Sequence, residues 1–313
     1  MRKEAPQVIV NNHVARHPLT GMWLRESVEL PRVLGVMIDN HVDARPQSGI
    51  DQAFLVIEAP VEGGISRLLA FFDANESIAK IGPVRSARPY FIDWNNEFDA
   101  LYAHVGGSDS ALEKIVSGGT FDVNEFAHSS TFWRAGTRLA PHNTYTSTER
   151  LNAYTQTRID AGYAPEVLYE TWQYKDAPEP NPNQKGSSVS IDFLSPVYTA
   201  DWAFDAESGT YLRSQAGKKD LTLDGKQITA NNIGIVITDI SVIDGVGRRV
   251  VRTIGEGKGF VMQDGKVIDV TWKKSSESQR LKFFVGDQEV VMNPGKTWIE
   301  IVPSVYDVTF QQQ

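Results

Sequence analysis

Arg85 and Arg88 stand three residues apart in KIGPVRSARPYFID, with Ser86 between them, a Gly-Pro breaker ahead and Pro89 behind. Proline is favoured in the first turn of a helix, so the stretch predicts a helix over 89–98 with both guanidinium groups just before its N-terminus. Unpaired backbone N–H groups at such a terminus favour an anion, and two planar forks beside them suit phosphate, pyrophosphate or carboxylate. The same arginines could instead hold the chain's own Asp39, Glu58 or Glu62 in an ion-pair network that orders loops. Both readings stay open on the letters alone.

Other polar groups gather where apolar runs stop, as loops carried on a rigid sheet would require. Asp39, Asn40 and His41 follow the run 32–38, with Asp43 and Arg45 just beyond, and Glu58 stands at the end of the run 53–59 with Glu62 after it. Asp39, Glu58 and His142, the last in the polar string APHN, are the candidates for proton transfer or charge stabilisation. Arg45, Arg85, Ser86, Arg88, Asn40, Glu62 and Asn143 are the candidates for ligand binding. His104 lies inside an apolar run and reads as a core histidine. No His-x-x-x-His or Glu-x-x-His pattern is present, so no metal ligands are assigned, although Asp39, His41 and Asp43 alternate closely enough to be co-ligands on one loop. No cofactor is expected; Mg2+ or another divalent ion is the one addition this chemistry leaves room for. No Gly-x-Ser-x-Gly elbow appears.

The elements that must position these groups divide in two. Residues 32–38, 53–59, 66–72 and 99–105 are strand-like, and helices are expected at 89–98, 110–116 and 149–159, the last with Thr146 and Glu149 as a capping box. That alternation predicts an α/β (α+β) layered domain with a mixed sheet over 1–174. The segment 175–188, with three prolines, reads as a solvated linker. Beyond it, 189–313 carries strand runs at 187–193, 209–214, 232–243, 248–254, 259–272 and 281–292, with turns at Asp264-Gly265 and Asn293-Pro294-Gly295, so a mostly-β domain is expected.

All six histidines and most arginines fall in the first half, which is therefore where chemistry is sought. With 313 residues, 41% hydrophobic content and a net charge of −8, two globular domains fit, and nucleic acid is not expected as the main ligand. The absence of cysteine removes disulfides and thiolate sites without fixing a compartment. MRKEAPQVIV shows no signal peptide, leaving a cytoplasmic protein or one whose export signal has been removed.

The strings GVMIDNHVDARPQSGIDQA, IEAPVEGGISRLLAFF, KIGPVRSARPYFID, LYAHVGGS and FWRAGTRLAPHNTYTS resemble the YerB-like bacterial lipoproteins, a family of unknown function. DGKVIDVTWKKSS and NPGKTWIEIVP resemble that family's separate C-terminal domain. The resemblance implies an extracytoplasmic, membrane-anchored protein of the cell envelope, held by a lipid anchor whose attachment cysteine this sequence does not contain. It brings no established reaction. The order of Asp39, Arg45, Asp51, Arg85, Arg88 and Gly106-Gly107 is also similar to that in the LytR-CpsA-Psr phosphotransferases, which use polyprenyl-pyrophosphate carriers. The expected partner is an anionic envelope ligand or another protein, and the alternative is phosphotransferase-like or hydrolase-like chemistry on a lipid-linked pyrophosphate or glycan.

Overall fold

The computed structural model describes residues 15–27, 29–163, 167–176 and 186–312. The first-half strands are β1 (Val33–Ile38), β2 (Leu55–Pro60), β3 (Ser66–Asp73), β4 (Leu101–His104) and β5 (Asp122–Asn124). Second-half strands are β6 (Ser187–Ile191), β7 (Ala200–Asp205), β8 (Thr210–Gln215), β9 (Asn232–Ile237), β10 (Gly255–Gln263), β11 (Lys266–Lys274), β12 (Lys282–Val285), β13 (Gln288–Glu289), β14 (Thr297–Val302) and β15 (Val308–Gln312). The helices are α1 (Pro89–Asn95), α2 (Asp109–Gly118) and α3 (Thr148–Asp160).

An 11-stranded mixed sheet runs in the order β13-β12-β11-β10-β9-β14-β2-β3-β1-β4-β5. It crosses from one half of the chain to the other at β14, which lies parallel to both β9 and β2. Every residue of β1, β2, β3 and β14 is buried, which is why these strands read as unbroken apolar runs rather than as alternating ones. A second sheet holds β8, β7, β6 and β15 side by side. Its strands β6, β7 and β8 alternate buried and half-buried residues, the pattern of a sheet with one covered face.

That covered face packs on the large sheet: Val189, Ile191, Trp202 and Tyr211 share a core with Val36, Ile38, Val56 and Leu68, and α3 adds Leu151 and Tyr154. The opposite face of the large sheet is covered by α1 and α2, through Phe91, Ile92, Trp94, Ala111 and Ile115 against Met37, Ile57, Leu69 and Phe71. The result is three layers, with the α/β first half and the mostly-β second half sharing the middle one.

Local expectations are met with small corrections. Pro89 does open α1, and Ser108 caps α2 by accepting from Ala111 N–H at 3.3 Å. The cap of α3 is Ser147, accepting from Arg150 N–H at 3.2 Å; Thr146 is one residue too early, and its hydroxyl donates to Thr131 O at 2.9 Å. Asp264-Gly265 joins β10 to β11 with φ of 53° and 70°, both positive as a two-residue hairpin turn demands. The run 232–243 is not one strand. It leaves the sheet after Ile237, and Ile240–Val242 turns back to pair with Arg249–Val251 as a separate hairpin. The run 281–292 is likewise a hairpin, β12 with β13.

Of the expected linker 175–188, residues 177–185 lie outside the described residues. Its first two residues are tied down: Lys175 N–H donates to Met292 O at 2.9 Å, and Asp176 pairs with Arg16 at 2.6 Å. Its last two begin β6.

Candidate functional site at the carboxyl edge of the sheet

Strands β1, β4, β2 and β14 all end at the same edge of the large sheet, the edge at which ligand sites of open α/β sheets form. Asp39 and Asn40 follow β1 there and are buried. β3 runs antiparallel, so its first residues, Ser66 and Arg67, arrive at that edge too. The stretch 84–87 is then threaded between the ends of β1 and β4: Arg85 N–H donates to Met37 O at 2.8 Å, and Val105 N–H donates to Arg85 O at 3.1 Å. This threading, rather than α1, sets where the arginines point.

Arg88 is satisfied internally. Its Nε and Nη2 reach Glu62 Oε1 and Oε2 at 2.7 and 2.8 Å, a bidentate fork, and Nη1 donates to Ala87 O at 2.7 Å. Burial opposes ionisation of both partners, but the paired hydrogen bonds and charges win, holding the Glu62 carboxyl below and the Arg88 guanidinium above their ordinary values.

Arg85 is not satisfied in the same way. Its Nε lies 3.3 Å from Asp39 Oδ2, yet makes no hydrogen bond, and its side chain is 24% exposed. Arg67 is 6% exposed; Nη1 donates to Ser86 O at 3.0 Å, while Nε has no acceptor. Burial and the charge of Arg88 push the Arg67 guanidinium down to about 10, with Asp39 only partly offsetting them. A fourth arginine comes from the second half: Arg249 Nε donates to Val61 O at 2.8 Å. The cluster thus sets Arg67, Arg85, Arg88 and Arg249 against Asp39 and Glu62, and carries surplus positive charge.

Asp39 also faces His142. His142 Nδ1 lies 2.7 Å from Asp39 Oδ2, and Asp39 Oδ1 accepts His41 N–H at 3.0 Å. The rings of His41 and His142 stack with centroids 4.5 Å apart and 15° between planes. His41, Asp43 and His142 can each offer a ligand atom such that all three lie within 4.8 Å of one another.

The remaining expected residues form a different cluster. Glu58 does not meet Arg85 or Arg88. Its Oε1 accepts from Ser66 Oγ at 2.5 Å and Asn40 Nδ2 at 3.2 Å, and its Oε2 accepts from Arg213 Nη2 at 2.6 Å. Arg213, fully buried, also pairs with Asp220 and lies 4.8 Å over the Trp298 ring. Glu300 sits beside Glu58 in register, and Trp202 Nε1 donates to it at 2.7 Å. Burial, and then the Glu58 charge, push the Glu300 carboxyl well above the usual range, favouring its protonated form. Arg45 borders this cluster: Nε and Nη2 reach Asn40 O at 3.1 and 2.9 Å, and Nη1 reaches Val197 O at 2.9 Å. The group is a buried polar joint between the two sheets. Asn143 belongs to neither cluster; its Oδ1 accepts from Arg134 Nη1 at 3.2 Å. Ser86 takes part through its carbonyl.

Reading from sequence missed Arg67, Arg213, Arg249 and Glu300. Arg67 in SRLLAFF and Glu300 in TWIEIVP did carry a signal, since a lone charge inside an apolar strand is buried and must find a partner.

The chain fits the N-terminal domain described as "Protein of unknown function (DUF3048)" over residues 19–164 and the C-terminal domain of the same description over 189–299, and it belongs to that two-domain family. Among its relatives is the Bacillus subtilis (strain 168) protein named "Putative lipoprotein YerB", 35% identical over 298 residues, 92% of this chain and 86% of that protein. The crystal structure of YerB from Bacillus subtilis is similar with a TM-score of 0.84 at 31% identity, covering 95% of this chain and 100% of that one. Among the described residues no helix is long and apolar enough to cross a membrane.

Proposed function

We propose that this protein binds a phosphate- or carboxylate-bearing ligand of the cell envelope at the arginine cluster on the carboxyl edge of the sheet. The observation that carries this reading is the pair of buried Nε donors on Arg67 and Arg85 without acceptors, in a cluster with more guanidinium groups than carboxylates. A buried donor left unmade is costly, and an anion would satisfy it. Arg85 is the group an entering ligand meets first, since it keeps an exposed flank. Arg88, already bound to Glu62, shapes the site without being free to grip. The name of the Bacillus subtilis relative, "Putative lipoprotein YerB", supports an extracytoplasmic, membrane-anchored setting.

Thermal unfolding in the presence of inorganic phosphate, pyrophosphate and citrate, at matched ionic strength, tests the reading. Binding at a hundred times Kd stabilises by about 2.7 kcal/mol. The expected result is a saturable rise in Tm with at least one of these anions, lost in Arg85→Ala while that variant keeps its own unliganded Tm nearly unchanged. An absence of any saturable shift in the unmodified protein overturns it.

A further inference from the structure

We propose that His41, Asp43 and His142 form a binding site for a transition-metal dication of the zinc type, with Asp39 as the group that orients it. The argument starts from the buried end. Asp39 is 2% exposed and fixed twice, by the His41 N–H on Oδ1 and by the Arg85 charge beside Oδ2. A carboxylate accepts and cannot donate, so at 2.7 Å it takes the Nδ1 proton of His142. In the neutral ring that puts the proton on Nδ1 and leaves the lone pair on Nε2. A carboxylate on one ring nitrogen and a metal on the other is the arrangement by which proteins orient histidine ligands and raise their basicity.

His41 and Asp43 bring their ligand atoms within 4.8 Å of one another and of one on His142 from one tight turn, Val42–Ala44, whose start His41 caps through Nδ1 at 3.2 Å from Asp43 N. Asp43 Oδ2 lies 3.5 Å from His41 Nδ1. The two stacked rings have nearly parallel planes, so a shared ion requires the His41 ring to turn toward it. His41 is the ring able to do so: its side chain is 31% exposed, against 14% for the anchored His142. Asp43 is exposed, so the site opens to solvent and leaves coordination positions for water or a ligand, as zinc sites that act on substrates do.

The donor set selects the metal. Two imidazoles and one carboxylate suit Zn2+, Co2+, Ni2+ or Cu2+, whereas Mg2+ and Ca2+ want oxygen ligands in sixfold or higher coordination. This proposal does not rest on anion binding by the arginines. The two sites touch only at Asp39, so either could exist without the other.

The full chain, stripped with chelator and dialysed, is titrated with Co2+ by visible absorption and with Zn2+ by calorimetry. The expected result is one equivalent bound, with a d–d band of low-coordinate Co2+, and roughly tenfold or greater loss of affinity in His41→Ala and in Asp43→Asn. Asp39→Asn should lose roughly 10–100-fold while the ligands themselves remain. Mg2+ at the same concentrations should give no heat. His142→Ala removes the partner of a buried carboxylate and could unfold, so the two solvent-side variants, checked for unchanged melting without metal, carry the decision. Equal Co2+ and Zn2+ affinity in the unmodified chain and in both of those variants overturns the proposal, as does the lack of a stoichiometric site in the unmodified chain.

Discussion

Glu300 on β14 stands directly opposite Glu58 on β2, and both side chains are fully buried. Two carboxylates so placed cannot both ionise cheaply, and burial together with the Glu58 charge favours the protonated form of Glu300. The folded chain therefore holds that proton to higher pH than the unfolded chain does. Stability therefore falls as pH rises from the unfolded Glu value toward the raised folded one, by up to about 1.4 kcal/mol per pH unit. Glu300→Gln keeps an acceptor for Trp202 and a donor toward Glu58 but does not titrate. Relative to the unmodified chain it should gain stability as pH rises through the range above the unfolded Glu value of about 4.3. Urea midpoints across that range decide it; parallel pH profiles would show that Glu300 is ionised in the fold.

Arg88 and Glu62 form a bidentate pair at 2.7 and 2.8 Å. Their side chains are 15% and 18% exposed, which places their coupling between that of surface pairs and buried ones. Arg88→Ala should cost about 2–4 kcal/mol, and the double-mutant cycle with Glu62→Gln should give a coupling of at least about 1 kcal/mol. Arg88→Lys should recover little, because an ammonium cannot make the fork. A coupling near zero would mean that the pair does not order the loop.

Gly82 sits at φ 141°, and a Cβ added there would come within 2.9 Å of Thr144 O. That backbone oxygen cannot step aside without moving the strap that carries Arg85. Gly82→Ala should cost about 2–3 kcal/mol and weaken any anion binding that depends on Arg85. Denaturant unfolding with and without anion separates the two effects, and a stability change under about 0.5 kcal/mol would refute the strain argument.

Ser147, rather than Thr146, caps α3. Ser147→Ala should therefore cost about 1 kcal/mol, and Ser147→Asp should restore most of it. Chemical unfolding of the two variants provides the check; equal stability of Ser147→Ala and the unmodified chain would place the cap elsewhere.

What could be read from the letters was what local physics decides. β1, β2 and β3 announce themselves because burial on both faces leaves no polar alternation, α1 because Pro89 suits its first turn, and the β10–β11 hairpin because Asp-Gly tolerates positive φ. Asp39, His142, Arg85, Arg88 and Glu62 were picked out as polar groups at strand ends and do converge at one edge. The partnerships themselves were not legible. Asp39 and His142 are 103 residues apart, and Glu58 and Arg213 are 155 apart, so nothing in the neighbourhood of either residue specifies the other. On the letters Glu58 is one of three possible partners for the arginines, alongside Asp39 and Glu62, while strand order sends it to the joint between the sheets.

The position of β14 between β9 and β2 has a consequence for how the molecule is made. A ribosome delivers β2 early and β14 late, so through most of synthesis the first half exposes an unpaired strand edge that only the far end of the chain can seal. Such an edge invites pairing with neighbouring chains before its own partner arrives. The first half alone, though it contains every strand-end residue of the site except Arg249, is thus a half-finished sheet whose open edge the mostly-β half closes.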